Sequence, residues 1–277
     1  MSKNNLMRVL FLLLLGFGSY LIWTKVVRGE DFVSRPAIDG VARGFANVPR
    51  YKTDSNGNTE RWFDEYGSYH RDSGPAIVYQ DNWYTAEWFQ HGLLHREDGP
   101  AMIFSNGDQC WYKQGRLHRD GGPAIIRNNG DQEWFSEGER HRVDGPARII
   151  FEEVHGSTPE KEYKSRKEWW VNGKYHRVGK PAVMAPDGSQ LWYLDGKLHR
   201  NNGPAIQTSD GSQYWYKDGI QHRDNGPAVI TSDAEMFWFR EGKLHREEGP
   251  AIVFASGNVQ WWINGERMYK STDKKDE

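Results

Sequence analysis

From residue 57 onward the apolar and polar positions recur in one fixed order. Trp88, Trp111, Trp134, Trp169, Trp192, Trp215 and Trp238 each stand seven residues before a histidine, and Trp62 stands eight before the first. The residue after each of these tryptophans is aromatic: Phe63, Phe89, Tyr112, Phe135, Trp170, Tyr193, Tyr216 and Phe239, with Trp262 following Trp261 in a truncated last copy. Two turn signals bracket the aromatic pair in the clearest copies. Asn106-Gly107, Asn129-Gly130, Asp187-Gly188 and Asp210-Gly211 precede it, and Gly92, Gly115, Gly138, Gly173, Gly196, Gly219 and Gly242 follow it. Such pairs accept the positive φ of tight hairpins. A unit such as residues 123–145 therefore reads as short strand, turn, longer strand, turn and an extended His-Arg segment. Turns recur too often for a globular helix of ordinary length, and the aromatic and β-branched content suits a pleated sheet.

The histidines fix the period. His70, His95, His118, His141, His176, His199, His222 and His245 are separated by 25, 23, 23, 35, 23, 23 and 23 residues. Each opens a His-Arg-x-x-Gly-Pro-Ala motif or a near copy of it. The unit is 23 residues long, with twelve residues inserted between the fourth and fifth copies. The pattern predicts an all-β fold: an elongated, single-sheet antiparallel solenoid of β-hairpins, preceded by one N-terminal hydrophobic helix. One hairpin per unit would advance the array by about 10 Å. The solenoid is expected over residues 56–268, with its ends protected near residues 45–51 and 261–269.

Residues 9–23 carry no charge, with Lys3 and Arg8 before them and Lys25 and Arg28 after. At 1.5 Å per residue this core is shorter than a bilayer, though residues 6–27 together could cross one. A signal-anchor and a cleaved signal peptide both fit residues 1–30. The charge bias places the N-terminus in the cytoplasm and the repeats in the periplasm or another extracytoplasmic space; cleavage would instead give a secreted protein. Residues 31–55 read as a linker with a degenerate cap, and residues 269–277 as a polar tail.

Composition adds a constraint on the core. Only 37% of the chain is hydrophobic, yet 14% is aromatic, and the mean hydropathy is −0.85. Aromatic columns stacked along a narrow sheet reconcile those values. The 36 Lys+Arg are balanced by 38 Asp+Glu, so no nucleic-acid partner is expected. The single cysteine, Cys110, allows neither an intramolecular disulfide nor a thiolate metal site.

Gly115-Arg116-Leu117-His118, Gly196-Lys197-Leu198-His199 and Gly242-Lys243-Leu244-His245, set in a 23-residue period with aromatic pairs and Asn-Gly turns, resemble membrane-occupation-and-recognition-nexus (MORN) repeats. Arg stands where that family has Gly after His, and the Gly-Pro-Ala closure also departs from it. The resemblance covers roughly residues 46–268. It implies a β-hairpin solenoid serving in protein binding, scaffolding or tethering, with toxin neutralisation in some bacterial relatives.

A catalytic site is unique, whereas the polar residues here recur at every unit, so no enzyme activity, cofactor or metal site is expected. The histidines are read either as a structural ladder bonding turn backbone or as a recognition surface. The arginines that follow them are read as charge-laced loops, paired with the acids two or three positions after His, or as an exposed stripe. Copies five and six lack that acid. Arg177, Lys180 and Arg200 are therefore candidates for contact with an anionic surface. The insertion, residues 154–166, reads as a lengthened hairpin whose His155 and Tyr163 could contact a partner. The partner expected is a protein or a cell-envelope component; the alternatives are a structural spacer and a toxin- or effector-neutralising protein.

Overall fold

The structure, a computed structural model, describes residues 51–53, 57–80, 84–154 and 162–268. The N-terminal hydrophobic segment, the linker to residue 50, His155 and the polar tail lie outside these residues. Every regular element among the described residues is a β-strand, and no helix there is long and apolar enough to cross a membrane.

Each 23-residue unit, called a rung here and numbered by its histidine, contributes two hairpins rather than the one expected. In rung four, Ile125–Ile126 pairs with Gln132–Glu133 around the Asn129-Gly130 turn. Phe135–Ser136 then pairs with Glu139–Arg140. Trp134 lies at the break between them. Its N–H donates to the Ala147 carbonyl of the next rung (2.8 Å), while its own carbonyl accepts the N–H of His141 (3.1 Å). One residue thus bonds in two layers, and the strand predicted to run through Trp divides there.

The first hairpins join into one antiparallel sheet of 19 strands. Its neighbours follow chain order: Ile125 pairs with Cys110 of the previous rung, and Glu133 with Arg148 of the next. The second hairpins form a row of two-stranded sheets. Backbone bonds link that row from rung to rung, as from Gly138 N–H to Leu117 C=O (2.9 Å) and from Gly219 N–H to Leu198 C=O (2.9 Å). Their turns place two consecutive residues at positive φ, such as Glu137 at 51° and Gly138 at 85°, the geometry of a type I′ hairpin turn.

The core is a set of columns. The eight alanines of the Pro-Ala steps, from Ala76 to Ala251, are fully buried, and Ile77, Ile125, Val183, Ile206, Val229 and Ile252 line the sheet beside them. Over these lie the residue after each Trp and the residue before each His. Phe63, Tyr69 and Phe89 are in ring contact at 5.1 and 5.4 Å, and so are Trp170, Tyr175 and Tyr193 at 3.7 and 5.0 Å. Small buried areas at each rung, added along the array, supply the apolar burial that a single globular core would otherwise provide.

The first described rung has no preceding histidine to cap its turn, and Asp64 fills that role. Its Oδ1 accepts the N–H groups of Tyr66 (3.0 Å) and Ser68 (2.8 Å), and its Oδ2 meets the His91 ring at 3.1 Å. Burial pushes this carboxyl up, but the Ser68 N–H, the His91 ring and the Tyr66 N–H outweigh it and hold it below its ordinary value. Asp64→Ala is expected to weaken this rung by about 1–2 kcal/mol, as loss of a cap does elsewhere. Hydrogen exchange should accelerate at residues 66–70 and stay unchanged beyond rung three; equal acceleration throughout would reject the capping role.

Candidate functional site

The repeated motif is spent within the fold. At every rung the histidine Nδ1 accepts a backbone N–H from the next rung: Gln114 to His95 and Glu137 to His118 at 3.2 Å, Glu241 to His222 and Asn264 to His245 at 3.1 Å. The donors are the non-glycine residues at positive φ, between 47° and 52°. Each imidazole therefore secures the strained turn of its neighbour. In four rungs its Nε2 also faces the residue two positions on: Asp72 at 3.0 Å, Asp120 at 3.1 Å, Asn201 at 2.8 Å and Asp224 at 2.8 Å, whereas His141 and His176 have Val143 and Val178 there. In these four rungs an N–H on Nε2 and a lone pair on Nδ1 satisfy both contacts. This is the ladder role, and Asp72, Asp120 and Asp224, expected to neutralise arginine, serve histidine instead.

The arginines pair chiefly with tryptophan. All eight guanidiniums lie over the Trp of their own rung, from 3.7 Å for Arg177 on Trp169 to 4.2 Å for Arg142 on Trp134. Each donates through Nη1 to the carbonyl of the Pro four residues on, at 2.9–3.3 Å. Acids reach only Arg96 and Arg142 among these eight in the described residues, at 2.8 Å from Asp98 and 2.7 Å from Asp144. The motif glycine makes room for the stack: a Cβ at Gly99 would stand 2.8 Å from the Arg96 Cζ. One motif thus joins Trp, Arg, Gly and Pro in each rung and ties it to the next by His.

Arg177 and Arg200, expected to be available to a partner, are half-buried in these stacks. Burial lowers both guanidiniums from their ordinary value. Lys180 is exposed. It can occupy the usual glycine position because the left-handed residue has moved to Gly179 (φ 70°), as it has to Gly121 (φ 73°) in rung three. The structure therefore does not assemble the three cations into one open patch.

The described residues on either side of the insertion extend a hairpin of the large sheet, as the sequence predicts. Arg148–Val154 pairs with Glu162–Glu168 over seven residues each. Tyr163 is 56% exposed and Phe151, on the same face, 41% exposed. At the root of this hairpin the aliphatic column gives way to ions. Glu133 and Glu168 are 2% and 1% exposed. Glu133 receives Arg127 at 2.6 Å, Arg140 at 2.6 Å and Arg148 at 3.7 Å. Glu168 receives Arg148 at 3.5 Å, Arg166 at 2.6 Å and the Trp170 indole N–H at 3.1 Å. Burial pushes both carboxyls up, but the surrounding guanidiniums prevail and hold them below the usual carboxylate range. This network escaped the sequence reading. Its signal was Glu directly before Trp in two successive rungs, with Arg at two positions where other rungs carry Ile or Leu.

Glu87 occupies the same column with no ion partner among the described residues. Burial pushes it up to about 6 from the ordinary 4.5, opposed by a hydrogen bond from the Tyr79 hydroxyl. A carboxyl raised in this way contributes stability that is present below the unfolded value and lost as pH rises through the folded one. Glu87→Gln should therefore exceed the parent in stability by about 1–2 kcal/mol near pH 7.5. The gap should close as pH falls from about 6 to below 4.5. Denaturant unfolding at several pH values checks this; a gap independent of pH would refute it.

Two surface hollows of about 400 and 280 Å³ share His245 and Glu247 in their lining, groups that recur at other rungs. Among the described residues no set of three His, Cys, Asp or Glu side chains is placed to hold a metal ion. Burial pushes the Cys110 thiol up to about 12, which keeps it protonated and unreactive. No protein-family model and no curated protein matches the chain.

Proposed function

We propose that this protein is a noncatalytic repeat scaffold of the MORN type, tethered to a membrane by residues 6–27 and presenting its solenoid to a protein or cell-envelope partner. One observation carries the reading: His and Arg, the residues that most resemble chemistry, do the same structural work at all eight rungs. The orientation proposed is N-terminus in the cytoplasm and repeats outside, since Lys3 and Arg8 precede the apolar run while Glu30 and Asp31 dilute the charge after it. Protease digestion of intact cells would test that topology, and an intact mass would show whether residues 1–30 are retained.

The extended hairpin favours a binder over a spacer. A spacer has no need of a hairpin paired over seven residues on each strand where rung four pairs two, with Tyr163 and Phe151 presented on one face. The test is capture of partners from envelope extract by the full chain and by a chain in which residues 152–164 are replaced by Asn-Gly. That replacement keeps Arg148, Ile150, Arg166 and Glu168 at the hairpin root. A saturable partner lost only from the shortened chain supports the reading; equal capture by both, or none by either, argues for the spacer.

A further inference from the structure

The outward face of the second hairpins carries cations that the fold does not use. In each hairpin the pair behind the core-facing residues points away from the large sheet. These pairs are Val171 with Lys174, Leu194 with Lys197, Lys217 with Ile220, and Arg240 with Lys243 in rungs five to eight. Four rungs thus supply five cations, three aliphatic side chains (Val171 beside Lys174, Leu194 beside Lys197 and Ile220 beside Lys217), and no acid at either position. The column is continuous. Stems of Lys174 and Lys197 lie where a Cβ on the following rung's turn glycine, Gly196 or Gly219, would be only 3.6 Å away, and Lys243 stands likewise at 3.7 Å from Gly265. The earlier rungs differ: there Lys113 meets Asp120 at 3.9 Å and Arg116 meets Glu137 at 3.5 Å. Arg240 has Glu247 at 3.4 Å, whereas Lys174, Lys197, Lys217 and Lys243 are exposed and form no ion pair among the described residues.

We propose that this strip, Lys174, Lys197, Lys217 and Lys243 with Val171, Leu194 and Ile220, is the docking surface for an extended acidic segment of a partner protein. Charge complementarity identifies the occupant class, and two further features narrow it. The strip is one hairpin wide, flanked by the exposed acids Asp195, Asp218 and Glu241 at the turns and by Asp224 and Glu247 on the other side, so a broad anionic plane would meet repulsion at both margins. A single extended chain would not. The cations repeat at about 10 Å, two strand spacings, and an extended chain advances about 3.3 Å per residue, so an acid at every third position falls into step with them. Val171 and Leu194 are half-buried and only Ile220 reaches half exposure, at 51%; they offer contact to side chains, not a wedge for insertion into lipid.

This deepens the scaffold reading and rests on it, but its test is separate. The full chain in detergent would be titrated into a fluorescent peptide of about twelve residues with Glu at every third position. Saturable, salt-sensitive binding is expected. Reversing Lys174, Lys197, Lys217 and Lys243 to Glu should weaken it by at least about tenfold. Reversing the same number of cations elsewhere (Lys52, Lys113, Arg116 and Lys167) should change it by no more than about twofold. Thermal melts would establish that both variants fold, and the milder replacement of the four lysines by Gln gives the same readout if the reversal does not. Absence of binding, equal loss in the control, or an unaffected reversal variant would overturn the proposal. So would binding to phosphatidylglycerol vesicles that depends on the four lysines when the peptide does not bind. None of these outcomes alters the partner capture that tests the scaffold reading itself.

Discussion

Glu168→Ala is expected to destabilise the middle of the array by about 3–5 kcal/mol, the range seen when one partner of a buried ion pair is removed. Glu168 is 1% exposed and joins Arg148, Arg166 and the Trp170 indole. Its loss leaves Arg166 without its 2.6 Å carboxylate contact and removes the anion that Arg148 shares with Glu133. Glu168→Gln should cost less, since an amide can still accept from Trp170 and Arg148 keeps Glu133, but Arg166 would lose its charged partner. The informative variant replaces the group together: Arg148→Met, Arg166→Leu and Glu168→Leu. The neighbouring column of Ile125 and Val183, in register with Glu133 and Glu168, already shows that apolar side chains pack at this depth. The triple variant should therefore match or exceed the stability of the parent. If it is stable but the long hairpin loses its fixed pairing, seen as exchange of the amides of residues 150–154, then the network sets register at the root of that hairpin. Equal destabilisation of the single and triple variants by denaturant unfolding would show that the ions themselves hold this region together.

The period, the all-β class and the turns were legible because each is encoded locally. Trp, Asn-Gly, Gly and His recur at fixed offsets, and the left-handed turn positions need Gly or tolerate few alternatives. The division into two hairpins was not, since the break falls at Glu133-Trp134-Phe135, where no Gly or Pro interrupts the run. Only the non-local bond from Trp134 to Ala147 turns the chain from one layer to the other. The acids after His illustrate a second limit. Sequence distance made Asp72 or Asp224 natural partners for the adjacent Arg, but alternation sends Asp to His and leaves Arg over a Trp eight residues back, across the second hairpin. Arg177 and Arg200 looked free for the same reason. The buried Glu133–Glu168 network was visible only as a local departure from an aliphatic column, and a column is recognised once register is known.

Trp215→Ala is expected to cost about 3 kcal/mol, the lower end of what large aromatic truncations cost because the ring is half-buried, and to change how the array unfolds. The indole carries Arg223 at 3.9 Å, and Arg223 in turn donates to the Pro227 carbonyl at 2.9 Å. Removing the ring strips the guanidinium of its stacking surface. The Trp215 backbone bonds to Ala228 and His222 (2.8 and 3.2 Å) are not deleted by the substitution, so the loss measures the stack and its packing. In a linear array each rung touches only its neighbours, so an internal defect weakens the coupling of the rungs on either side of it. Denaturant unfolding should broaden or split, with hydrogen exchange accelerated from rung six to rung eight while rungs one to four keep their protection. Trp62→Ala, at the other end of the array, should instead fray one rung and leave the main transition sharp. Trp215→Phe retains a ring face for Arg223 and should recover most of the loss, whereas Arg223→Lys, without a planar guanidinium to stack, should not restore a full pairing. A single sharp transition shifted by less than about 1 kcal/mol in Trp215→Ala would mean that the sheet backbone, and not the Trp–Arg stack, couples the rungs.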